Sequence, residues 1–365
     1  MKPLYLYGII PSNDKIIFDE VCGMDNDEDA VYTLPHNGVA AVVGSSPRED
    51  YRGLKRDEAV RYMVNHQSVI EAVQSHFTIL PVKFGTVLPD MTFMDRMLHQ
   101  GRLQFQNALS NLHGLTQMEV VALWKLPQVF QEIGNEAPIV ALKAKIAGFV
   151  GEQDQTLEDR ITIGRLVKEA IDARRSMLSE QIAPRLRSVA RDSVLNPILD
   201  DSIVINVALL LDESGRKNLD QVLDALDKTY NGQMTFRAIG PLPPYSFATV
   251  DVQTPELEAI ETARQLLQCS LNPTVEDIKR AYYQAAKGVH PDLNANGRDT
   301  DGRMTALTQA YRLLISTADS QLLSKADLHA PLGNATCCFD RATIENTLLI
   351  TVKRQSDLPV NTAAG

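Results

Sequence analysis

The chain has few cysteines, a single tryptophan and no long apolar run. Of its four cysteines, Cys22 and Cys269 stand alone, and the adjacent Cys337 and Cys338 are poorly placed for an ordinary disulfide. No Cys-x-x-Cys pair or His/Cys spacing suggests zinc, so structural thiols in a reducing compartment are expected. No stretch approaches the roughly 18 apolar residues that span a bilayer. The apolar N-terminal stretch stops at Pro11 without a small-residue cleavage site. These absences predict a cytoplasmic protein that does not enter a membrane. Basic residues are also in the minority, 36 Lys and Arg against 46 Asp and Glu, for a net charge of −10. That balance argues against nonspecific nucleic-acid binding, which needs a concentrated basic surface.

Catalytic signatures are missing too. There is no Gly-x-x-x-x-Gly-Lys phosphate loop, no Gly-x-Gly-x-x-Gly after a strand and no Gly-x-Ser-x-Gly elbow. His66 and His76 are ten residues apart, which is not a zincin spacing. No catalytic, metal-binding or cofactor-binding residue is therefore assigned, and no enzyme activity is expected.

What is present reads as an α+β protein. Residues 3–10 predict a strand, and Val31–Leu34 and Val39–Gly44 a hairpin. Apolar spacing predicts helices over Asp57–Phe77 and Phe93–Leu112, with strands at Ile79–Phe84 and Met118–Trp124. Together these make a first domain, residues 1–126. Residues 127–193 read as mostly helical, with Pro184 expected to kink or break the helix. The apolar run Ile203–Leu211 suits a central strand. A helix over Leu219–Tyr230 and a strand over Met234–Ile239 complete a second α+β domain, residues 127–253. Between Arg165 and Arg191 lie seven basic residues: Arg165, Lys168, Arg174, Arg175, Arg185, Arg187 and Arg191. They form either a solvated helix face or a docking surface for an acidic partner.

The most telling stretch is Gly240-Pro241-Leu242-Pro243-Pro244-Tyr245-Ser246-Phe247. Three prolines in four residues exclude helix and central strand. On composition alone it is a proline-rich loop; flanked by strand-like segments, it is an extended elbow. The string resembles the GPWPPYSF signature of the gas vesicle GvpF/GvpL family, with Leu242 in place of the usual tryptophan. Leu80, Pro81, Val82, Lys83, Phe84 and Gly85 are similar to that family's LPVRFG segment, with lysine for arginine. Leu4–Ile9 and Ile203–Leu211 resemble its opening strand and the strand before the elbow. The resemblance spans residues 1–255 and implies a modified ferredoxin-like arrangement, repeated in two small domains joined by a helical segment.

Beyond it a helical module is expected over residues 254–318. Thr254-Pro255 reads as a helix start, and Thr274 with Asp277 as a capping box. Ile278, Ala281, Tyr282, Ala285, Ala286 and Val289 make an apolar stripe that matches Met304, Leu307, Ala310, Tyr311 and Leu314 on the next helix. The two should pack as an antiparallel pair. His290-Pro291-Asp292 alone is no more than a turn. At the end of EDIKRAYYQAAKGV, however, it resembles the J-domain pattern. That resemblance implies contact with a DnaK-type chaperone through His290, Pro291 and Asp292, supported by Lys279, Arg280 and Lys287. Gly288 and the missing basic start of the next helix depart from the pattern. In the tail, residues 319–365, a strand at 346–352 is expected to return to the second domain.

The family resemblance implies a non-catalytic, vesicle-associated assembly factor that binds the shell protein GvpA and other Gvp proteins. The alternative is a J-domain-type co-chaperone that recruits a DnaK-type ATPase to another client. An enzyme with a site assembled from distant residues is a third reading, with no motif behind it.

Overall fold

The computed structural model describes residues 2–24, 30–147, 153–289, 300–325 and 336–354. It divides into two compact units, one of residues 1–111 with 248–353, the other of residues 112–247 with 354–365. No helix among the described residues is long and apolar enough to cross a membrane.

The first unit opens with β1 (Leu4–Ile10), β2 (Ile17–Cys22), β3 (Ala30–His36) and β4 (Val39–Ser45). After α1 (Arg56–Gln74) come the short β5 (Leu80–Pro81) and β6 (Val87–Leu88), then α2 (Met91–Leu112). The strands run β2-β3-β4-β1-β5, with β6 also on β1, and every pairing is antiparallel. The β3–β4 hairpin turns at Asn37 and Gly38, whose φ values of 47° and 91° suit a two-residue primed turn. β1 is buried along its whole length, which accounts for its unbroken apolar run.

The second unit contains β7 (Thr116–Trp124), α3 (Leu126–Gly134), α4 (Ala137–Ala147), α5 (Gln153–Arg187), β8 (Asp192–Leu195), β9 (Ile203–Leu211), α6 (Glu213–Tyr230) and β10 (Met234–Leu242). Its antiparallel sheet has the order β10-β7-β9-β8. This is the split β-α-β order of a ferredoxin-like fold. β7 was expected to close the first domain; it is instead a central strand here, between β10 and β9. Alternation shows that a strand is half-buried but not which sheet buries it. Val120, Ala122 and Trp124 pack with Ile205, Val207, Leu209 and Leu211 and with Ile182, Leu219 and Leu226 in one core. α5 runs through Pro184 to Arg187. Ile182, Ala183 and Leu186 are all buried, so packing outweighs the hydrogen bond that proline removes.

The chain then re-enters the first unit through β11 (Thr249–Gln253), followed by α7 (Leu257–Leu267), α8 (Val275–Lys287), α9 (Thr300–Lys325), α10 (Arg341–Glu345) and β12 (Leu349–Lys353). α7 begins after Glu256, which makes no side-chain cap, so Thr254 is not the N-cap. The capping box at Thr274 and Asp277 is formed in both directions. Thr274→Ala should cost about 1 kcal/mol of stability in chemical denaturation; no change would show that the cap is replaced by water. Ile260, Ala263, Ile278, Leu307, Leu314 and Ala318 share a core with Cys337, Phe339 and Ile344 from the segment that follows. The Tyr282 and Tyr311 rings stack with centroids 4.5 Å apart, joining α8 to α9 as the two stripes required. The tail strand pairs antiparallel with β11, which lies within the expected second domain, residues 127–253, but is not part of the four-stranded sheet. β11 itself belongs to the first unit, linked to it by a parallel bridge between Val82 and Val250.

Candidate partner-binding site

The Leu80–Gly85 segment threads between β1 and β11. Leu80 and Pro81 pair with Ile9 and Gly8, the Val82 amide donates to the Tyr7 carbonyl at 3.0 Å, and the Lys83 amide donates to the Val250 carbonyl at 2.9 Å. Gly85 has φ of 81°, and its amide donates to the Tyr5 hydroxyl at 2.9 Å. The Thr86 hydroxyl donates to the Lys83 carbonyl at 2.7 Å and closes the turn. Phe84 meets Tyr51 and His66 edge-on, each at 5.7 Å between ring centroids. His66 lies 3.0 Å from the Tyr5 hydroxyl, and burial pushes its pKa down to about 4, so it is a neutral core residue at neutral pH. The segment is thus a structural joint.

Lys83 also reaches a group that sequence reasoning did not single out. The buried carboxylate of Asp251 accepts from Lys353 and from Gln253 and lies 3.8 Å from Lys83. Burial raises its pKa, but these partners outweigh burial and hold it below the ordinary value. The three charges tie β11, β12 and the Lys83 segment together. One acid on a strand gives no local signal of this, because its partners are far away in sequence.

The elbow lies at the end of β10. Its Gly240–Pro241 peptide is cis, and the β7–β10 register shifts between Ile239 and Leu242. Gly240 has φ of 144°, and a Cβ placed there would lie 2.5 Å from Met118 Sδ and 3.0 Å from the Gln117 carbonyl oxygen. Pro243 and Pro244 are buried. The Tyr245 amide donates to the Pro243 carbonyl at 2.8 Å and the Phe247 amide to the Pro244 carbonyl at 3.0 Å. The buried Ser246 amide donates to Gln117 Oε1 at 3.0 Å. Arg354 sits 5.7 Å from the Phe247 ring centre and also binds Asp192 at 2.7 Å. Proline supplies fixed φ and no donor, and Gln117 meets the amide that the prolines leave.

In the helical module, α8 buries Val275 and Ile278 and turns Arg280, Tyr283 and Lys287 outward, Tyr283 being 64% exposed. Lys279 pairs with Glu276 at 3.3 Å, and Arg280 with Asp277 at 3.4 Å. The structure therefore brings the three basic residues onto one helix. His290, Pro291 and Asp292 lie outside the described residues. The basic stretch from Arg165 to Arg191, in α5 and just after it, is largely used internally. Arg174 pairs with Glu132 and Glu136, Arg175 and Lys168 with Asp172 and Asp201, and Arg191 with Asp212. That favours the solvated-face reading over an acidic docking partner.

The family model for gas vesicle synthesis protein GvpL/GvpF matches residues 3–249. The chain belongs to the GvpL/GvpF family. A DnaJ domain model matches residues 265–321, which places α8 of this GvpL/GvpF chain inside a J-domain region. Among solved structures it is similar to the gas vesicle protein GvpF from Anabaena sp. PCC7120, with TM-score 0.55 and 22% identity over 67% of this chain and 98% of that one. GvpF from Microcystis aeruginosa gives TM-score 0.53, again at 22% identity over 67% and 98%. At this identity the likeness is one of fold. No curated protein matches the chain. The two segments that carried the resemblance in the sequence, Leu80–Gly85 and Gly240–Phe247, both lie within the matched span.

Proposed function

We propose that this chain is a non-catalytic assembly factor in gas vesicle formation that binds the shell protein GvpA and works with other Gvp proteins. The observation that carries the reading is the fusion, in one chain, of a GvpL/GvpF region over 3–249 with a DnaJ region over 265–321. An apolar, β-rich shell subunit has unpaired strand edges before assembly, and such edges aggregate. A soluble partner that covers them keeps the subunit available for assembly. The test is capture of freshly solubilised GvpA by the purified full chain. Retention above a carrier-protein control is expected; capture no better than the control would sink the reading.

A second role is supported by the outward Arg280, Tyr283 and Lys287 of α8. We infer that this face, with His290, Pro291 and Asp292, recruits a DnaK-type chaperone to the same client. His290→Gln should reduce stimulation of a DnaK-type ATPase to the unstimulated rate while GvpA capture is unchanged. Loss of GvpA capture in a still-folded His290→Gln protein would refute this division of labour.

A further inference from the structure

A β-rich client is met most directly by a free strand edge, and the two sheets differ in what their edges offer. In the first unit, β2 carries a register shift between Phe18 and Cys22 and exposes Asp19 and Glu20. Its other border is made of two-residue strands, with β5 followed by the Val82–Val250 bridge to β11. In the second unit, β8 has four residues, and Arg354 donates to the Ser193 carbonyl on it at 3.1 Å. Charge, bulges, shortness and covering side chains are the usual ways of blunting an edge. β10 is different. Its register shift and Pro241 lie beyond Ile239; before them it lies last in its sheet, pairs with β7 without interruption from Met234 to Ile239, and exposes Thr235, Arg237, Ala238 and Ile239.

The direction of its free groups follows from one bond. The Trp124 amide donates to the Ser202 carbonyl, on the β9 side of β7. Groups alternate along an antiparallel ladder. Leu123, Val121 and Glu119 therefore face β10 and bond Thr235, Arg237 and Ile239. Phe236 and Ala238 direct their amides and carbonyls outward.

We infer that the outer edge of β10 is a strand-addition site that takes an extended segment of the shell subunit, with a carboxylate across from Arg237. This rests on the assembly-factor reading and names its contact surface. Arg237 is the only charged side chain in β10 and makes no ion pair among the described residues. In a chain of net charge −10 it is a local cation at the centre of the edge. It also disfavours a second copy of β10 as occupant: antiparallel self-pairing about Ala238, the centre of the strand, would set Arg237 against Ile239 and leave the two Arg237 side chains as diagonal like-charged neighbours. Main-chain bonds would supply affinity and the Arg237 contact selectivity.

The test is capture of freshly solubilised GvpA by the full chain and by its Ala238→Pro variant. Proline at an outward-facing edge position removes no bond to β7 and blocks an added strand. The expected result is a loss of affinity of about tenfold or more, with the circular dichroism spectrum unchanged. If Ala238→Pro does not fold, Arg237→Glu leaves the backbone intact and should also weaken capture. Amide exchange on the wild-type complex should slow at Phe236 and Ala238. Equal capture by folded variants, or protection confined to other segments, overturns the β10 site and leaves the assembly-factor reading standing. Failure of the wild-type chain to capture GvpA removes both.

Discussion

Gly240→Ala should lower the stability of the second unit by about 2–4 kcal/mol, the largest loss expected from any single methyl group in the family segments. Two costs add. The backbone at φ of 144° is strained for any residue with a Cβ, and the new methyl would lie 2.5 Å from Met118 Sδ and 3.0 Å from the Gln117 carbonyl oxygen. The Met118 side chain can swing away, but the Gln117 carbonyl is part of β7 and can move only with the ladder. The measurement is the urea midpoint of the variant. The control is Gly232→Ala, where φ is 74° and nothing lies within 4 Å of the added carbon. The control should cost about 1 kcal/mol, from backbone conformation alone. Equal losses at the two sites would show that the close approach to β7 contributes nothing.

The second large effect is expected at Asp251. Asp251→Asn keeps the shape but removes the charge that joins Lys353 and Lys83. A wholly buried pair broken on one side would cost about 3–5 kcal/mol. The Lys353 and Lys83 side chains are 37% and 59% exposed, so water can take over part of their solvation. A loss of about 1–3 kcal/mol is therefore expected at neutral pH. Its pH dependence has a definite sign. The folded-state pKa lies below the ordinary value of 3.8, so the stabilisation is complete above that value and disappears as pH falls through the folded-state pKa. Denaturation midpoints of the parent and of Asp251→Asn should differ at neutral pH and converge as pH falls below the folded-state pKa. A difference that persisted at the acid end would mean that packing, not charge, accounts for the loss. Because Asp251 and Lys353 sit where β11 and β12 flank the helical insertion, the same variant should also increase amide exchange in β12.

Several elements were legible from local pattern. The capping box at Thr274 and Asp277, the stripes that bring Tyr282 against Tyr311, and the hairpin of Val31–Leu34 and Val39–Gly44 all depend on residues within a few positions of one another. The elbow was legible for the same reason, since three prolines constrain their own backbone whatever surrounds them. Local pattern was weaker where packing decides. β8 was not foreseen, because four residues in Asp192–Leu195 carry too little periodicity to mark a strand. Pro184 was expected to kink or break its helix from proline's intrinsic effect; the helix is not broken there, and the buried Ile182, Ala183 and Leu186 hold it together. In the candidate site, the basic residues of α8 were implied in advance by the resemblance to the J-domain pattern. The Asp251 cluster was not, because Lys83, Asp251 and Lys353 are scattered along the chain.

The sequence by itself determined the α+β character, the two family segments and the J-like helices, because each is encoded by short-range spacing or by the covalent properties of proline and glycine. Only the tertiary structure decided that β7 is central to the second sheet, that the tail strand pairs with β11, and that β10 lies last in its sheet among the described residues. A period of two shows that a strand has one face to bury, but its partner is chosen by long-range hydrogen bonding and core packing, which no window of residues contains.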